Sequence, residues 1–148
     1  MRHIRTLFAG LVLLPVSSST VFAQGAGVEW DILNEEVMEL YRTGNYDRAL
    51  VVAKKALQVG EKNVGPDHPD VATSLNNLAL LYYSQGQYAQ AEPLYKRSLA
   101  IMEKALGPDH PNVAVSLENL AALYRATKRE KEAEKLEQRA ATIRGIKR

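Results

Sequence analysis

The segment Gly65-Pro66-Asp67-His68-Pro69 returns 42 residues later as Gly107-Pro108-Asp109-His110-Pro111. Between Gly65–Tyr82 and Gly107–Tyr124, 14 of 18 positions are identical. A weaker copy lies upstream at the same offset. There Tyr41, Gly44, Tyr46, Ala49, Lys54, Leu57 and Glu61 match Tyr83, Gly86, Tyr88, Ala91, Lys96, Leu99 and Glu103. A chain that repeats at this period folds as a stack of like units, because each unit buries its apolar side against the next.

Each unit reads as two helices. Val71, Leu75, Leu78, Ala79 and Tyr82 fall on one face of a 3.6-residue period. Gly86 supplies a turn, since glycine takes a positive φ without steric cost. Tyr88, Ala91, Leu94, Tyr95, Leu99 and Met102 form the stripe of a second helix, which Gly107-Pro108 ends. Pro111 pre-sets φ for the next helix, with His110 or Asp109 at its N-cap. Pro93 is expected near a first turn, where its missing N–H costs little. No strand is expected, as no apolar run alternates with period two and helix formers dominate. Ala49, Ala91 and Ala133 recur at one place in all three units, which predicts close helix–helix contacts there. The last helix, from Arg129 to about Arg144, narrows its apolar side to Ala133, Leu136, Ala140 and Ile143, as a solvent-facing end requires.

This pattern resembles the tetratricopeptide repeat in its 42-residue, kinesin-light-chain-like form. The residues that carry the resemblance are Leu75, Leu78, Ala79, Tyr82, Gly86, Tyr88, Ala91 and Leu99 with the Gly-Pro-Asp-His-Pro connector. It covers about Trp30 to Ile143. The first copy departs at Glu36, in the place of Leu78 and Leu120. The third departs at Lys128, in the place of the turn glycine, and at Glu130, in the place of the tyrosine. The resemblance implies an all-α fold, a right-handed superhelical solenoid of three antiparallel helix pairs. The repeats are set at about 30–69, 70–111 and 112–144, followed by a basic tail, 145–148.

The segment before the repeats reads as an address. Arg2 and Arg5 precede a ten-residue apolar run, Leu7 to Val16, and Ser17 to Thr20 break it before Val21-Phe22-Ala23. A basic start, a short apolar centre and small residues before a cut make a secretory signal, of bacterial appearance, with cleavage after Ala23. Residues 24–29 are expected to be a short linker. The run is too short to span a bilayer, which takes about 20 apolar residues. With no cysteine in the chain, a bacterial lipid anchor is excluded. The expected location is therefore the periplasm or the medium, with no membrane attachment of the mature form. Removal of residues 1–23 leaves 17 basic against 17 acidic residues, so the formal +2 of the whole chain belongs to the signal and argues for no nucleic-acid partner.

Few residues point to chemistry. The absence of cysteine rules out disulfides, thiol nucleophiles and cysteine metal sites. His68 and His110, beside Asp67 and Asp109, belong to connectors and read as helix caps rather than metal ligands. No nucleophile-elbow or phosphate-loop pattern occurs, so the sequence implies no enzyme, no cofactor and no metal. The candidate surface is instead the set of first helices, which line the concave side of such a superhelix. Asn77 and Asn119 share one repeat position outside the apolar stripe, and a carboxamide can both donate to and accept from an extended peptide backbone. Their neighbours complete the candidate groove: Asn76, Leu80 and Tyr83 in the second copy; Asn34, Met38, Tyr41 and Arg42 in the first; Ala122 and Arg125 in the third. On this reading, alanine at both Asn77 and Asn119 weakens binding and leaves thermal stability intact. The alternative is that they bond a neighbouring helix. The lysine pairs that clamp a terminal carboxylate in some relatives of this type are absent. The expected function is an exported adaptor that binds a protein or peptide segment within an envelope assembly or secretion complex. The alternative is a structural subunit that self-associates by stacking its repeats end to end.

Overall fold

The computed structural model describes the backbone of residues 18–145 and the side chains of residues 27–145. Most of the expected signal, and the tail beyond residue 145, lie outside the described residues. Six helices follow in order: α1 (Ser18–Arg42), α2 (Tyr46–Val64), α3 (Pro69–Ser84), α4 (Tyr88–Leu106), α5 (Pro111–Ala126) and α6 (Glu130–Ile143). Among the described residues there is no strand. The fold is an all-α repeat solenoid of three helix pairs. Residues 24–29 correct the sequence reading: they belong to α1 and form no linker. No proline interrupts them, and glycine weakens a helix without breaking it. The expected cut after Ala23 falls inside this helix.

Within each pair the chain reverses through one residue at positive φ: Gly44 at 75°, Gly86 at 73° and Lys128 at 61°. The next amide then reaches back to close the preceding helix, from Asn45 to Leu40, Gln87 to Tyr82 and Arg129 to Tyr124, each at 2.8 Å. Between pairs, Gly65 and Gly107 sit at φ 88° and 91°. His68 and His110 then cap α3 and α5: each Nδ1 accepts the backbone N–H two residues on, from Asp70 and Asn112, at 3.1 Å. Pro69 and Pro111 open those helices. Pro93 differs from expectation. It is the sixth residue of α4, past the first turn, so the Ala89 carbonyl loses its helical donor; both residues are exposed, which leaves that carbonyl open to solvent.

The core is continuous across the stack. Val71, Leu75, Val113 and Leu117 are fully buried between the second and third pairs, and Val37, Leu78 and Leu81 join the first pair to the second. Ala49, Ala91 and Ala133 have no exposed surface, as close helix approach requires. The first junction carries a size exchange. Trp30 stands where the later copies have Ala72 and Ala114, and Gly60 stands where the second copy has Met102. The indole lies against Gly60, whose β-carbon would meet Trp30 Cδ1 and Nε1 at 3.4 Å, and it donates to Ser74 Oγ at 2.8 Å. One large side chain thus fills the space that another fills one repeat later.

Candidate functional site

Consecutive first helices touch, α1 with α3 and α3 with α5, while consecutive second helices make no such approach. The first helices therefore lie on the inside of the curve and line the concave surface. Helix order alone puts them there, because each pair packs its second helix behind the next pair's first.

At the start of this surface an open groove of about 950 Å³ runs along α1 and the front of α3. Asp31, Ile32, Asn34, Glu35, Glu36, Met38, Glu39, Arg42, Thr73 and Asn77 line it. A smaller depression of about 210 Å³ continues between the second and third pairs, lined by Thr73, Asn76, Ser98, Met102, Asn112, Val115 and Ser116. Thr73 lines both, so the two adjoin along a track that ends at the start of α5.

Five of the residues singled out in the sequence lie in this track: Asn34, Met38, Arg42, Asn76 and Asn77. The others do not line it. Tyr41 and Tyr83 pack at the turns against Tyr46 and Tyr88, with ring centroids 5.5 and 5.4 Å apart. The Tyr41 hydroxyl also accepts from Ser84 Oγ at 3.2 Å. Leu80 is half-buried and Ala122 exposed on their helices. The Arg125 guanidinium ties α5 to α6, donating through Nε and Nη2 to Glu137 at 2.6 and 2.7 Å and pairing with Glu130.

The asparagines bond between helices. Asn77 Nδ2 donates to Asn34 Oδ1 at 3.2 Å, and Asn119 Nδ2 donates to Asn76 Oδ1 at 2.8 Å. Asn34 in turn donates to the Trp30 carbonyl at 2.8 Å. These bonds form a ladder of carboxamides between successive first helices, and they use one of the two amide hydrogens of Asn77 and of Asn119. The sequence alone did not single out Asp31, Ile32, Glu35, Glu36, Glu39 and Thr73, which line the same groove. The signal was present in the charge of each helix: the three first helices hold seven acids against two bases, and the second helices eight acids against ten bases.

Ion pairs elsewhere hold elements together. Arg129 donates to both oxygens of Glu92 at 2.9 Å, stacks 3.9 Å above the Tyr124 ring and pairs with Glu132. Lys96, at 2.6 Å, and then Arg129 hold the Glu92 carboxyl below the usual carboxylate range. Burial pushes the Tyr95 hydroxyl upward. Among the described residues no group of three or more His, Asp or Glu converges as a metal site, and no helix is long and apolar enough to cross a membrane.

Comparison with known proteins agrees with this architecture. The tetratricopeptide repeat family model matches residues 38–104 and 76–145. The crystal structure of BtubC (BKLC) from P. vanneervenii superposes with a TM-score of 0.73 at 28% identity, over 86% of this chain and 53% of that one. A putative kinesin light chain of Podosopora anserina with nearly identical TPR-like repeats gives 0.71 at 25% identity, over 78% of this chain and 55% of that one. The secreted RxLR effector protein RXLR-C07 of Plasmopara halstedii is 36% identical over 67 residues, 45% of this chain and 21% of that protein. The chain thus spans about half the length of these solved structures and about a fifth of the curated relative. With the family model matching more than half of its length, the chain belongs to the tetratricopeptide repeat family.

Proposed function

We propose that this protein is an exported adaptor whose concave track holds an extended segment of a partner protein. Tetratricopeptide repeats mediate protein–protein interaction and scaffolding, and proteins built from them are typically non-enzymatic. The observation that supports the finer reading is the open groove along α1 and the front of α3, with a smaller depression that shares Thr73 and reaches the start of α5. Exposed carboxylates and half-buried carboxamides beside Ile32 and Met38 offer both backbone hydrogen bonds and apolar contact. Export is supported by the basic start, the short apolar run and Val21-Phe22-Ala23.

Two measurements test this reading. Intact-mass analysis of the protein from a bacterial envelope or culture medium should find it shortened by residues 1–23. A retained Met1 in a membrane pellet overturns export. A photo-crosslinking side chain at Thr73 should capture a partner that one at Val51, exposed on the outer helix α2, does not. Capture from Val51 alone would move the interaction to the convex side.

A further inference from the structure

The proposed groove has a chemistry of its own. Acids on a terminal helix are an ordinary solvated cap, and alone they would mean nothing more. Three observations separate this face from a cap. First, Asp31, Glu35 and Glu36 make no ion pair among the described residues, whereas at the other end Glu118, Glu130 and Glu137 are each bound by an arginine. Second, Ile32 and Met38 are 57% and 43% exposed in the same groove. Set beside these carboxylates in one groove, the two aliphatic side chains add apolar contact to charge. Third, Arg42, the groove's own cation, is tied to Glu39 at 2.7 Å.

Resting on the concave-groove reading above, we infer that the occupant is an extended peptide with lysine or arginine residues flanking an aliphatic side chain. Its basic end lies over α1, and its neutral end lies toward Val115. The free carboxylates pair with the cations, and the aliphatic side chain covers Ile32 and Met38. Beyond Thr73 the track turns neutral, lined by Asn76, Asn112 and Val115. The ligand is thereby oriented as well as held. A chain with no net charge after the expected cut selects a basic partner because its acids gather on one set of helices.

The test is selection of random twelve-residue peptides, displayed on phage, against the full chain. The winners are then titrated against two variants. One is the triple change Asp31→Asn, Glu35→Gln, Glu36→Gln, on exposed or groove-facing positions. The other is Thr73→Phe, a neutral plug where the two depressions meet. The expected winners carry lysine or arginine beside leucine, isoleucine or valine. They weaken about tenfold on the triple variant, as three exposed ion pairs imply, and are lost on Thr73→Phe. Melting curves confirm that both variants fold. Acidic or neutral winners that Thr73→Phe abolishes overturn the basic ligand and leave the groove standing. Basic winners indifferent to the triple change also overturn it. Winners indifferent to Thr73→Phe, or no winners at all, overturn both the ligand and the groove.

Discussion

Lys128 holds a backbone conformation that its two counterparts assign to glycine, with φ at 61°. A β-carbon there meets the following carbonyl, and the left-handed region costs a non-glycine residue about 1–2 kcal/mol. Lys128→Gly should therefore raise stability by about 1 kcal/mol, less the backbone freedom that glycine adds to the unfolded chain. Thermal denaturation of the single variant measures it, and a lower melting temperature would show that the lysine side chain contributes more than its backbone costs. The asparagine ladder makes an opposite case. Read from sequence, alanine at Asn77 and Asn119 spares stability. Read from structure, it removes two inter-helix hydrogen bonds, each worth about 1 kcal/mol, against a helix-propensity gain of about half that per site. The double variant should lose roughly 1 kcal/mol in denaturant unfolding. The repeat pattern showed that both asparagines share one place. It could not show that the partner lies 43 residues back, because that register depends on how successive pairs stagger.

The elements were the most legible level. The glycine turns, the proline starts and the two apolar stripes locate five of the six helices from Trp30 onward, because each signal acts within a few residues of itself. The start of α1 was not legible, since it has no cap or proline to mark it. The join between α4 and the turn that opens α6 was hidden for another reason: that turn position is arginine, Arg129, in the third copy alone, and it reaches Glu92 across the stack. That join is sensitive to acid. The folded-state pKa of Glu92 is depressed, so its contribution is fully present above the ordinary value of 4.5 and is lost as pH falls through the lower folded value. Glu92 is partly exposed, and the pair is worth about 1 kcal/mol at most. Between neutral pH and pH values below 4.5 the parent should lose more melting temperature than Glu92→Gln does. Equal losses in both proteins would show that other carboxylates carry the acid response.

At the scale of the molecule, the residues at the two ends disfavour end-to-end stacking on the repeat step. If a second copy continued the 42-residue step, the contact between Asn76 and Asn119 would become Glu118 against Glu35, and the contact between Tyr41 and Ser84 would become Arg125 against Arg42. Glu137 and Glu36 would replace Tyr95 and Leu120, which share one apolar cluster. Like charges facing across a desolvated junction disfavour filaments. Light scattering should find a single species of one chain across a hundredfold dilution, and a mass that grows with concentration would restore end-to-end stacking. The groove acids that contribute to this were invisible to a reading built on repetition, because Asp31, Glu35 and Glu36 recur nowhere else in the chain. The stretches 65–82 and 107–124, by contrast, are nearly interchangeable, and both lie inside the two charged ends. A gene that misaligns there gains or sheds one whole unit between Pro69 and Pro111. Trp30 stays with Gly60, and each terminal helix keeps its polar side. Duplicating residues 70–111 should thus give a longer protein that is still monomeric and unfolds at higher temperature, since the added unit brings one more full interface. The length of this array, and with it the extent of its concave surface, is the property most open to inheritance by copying error.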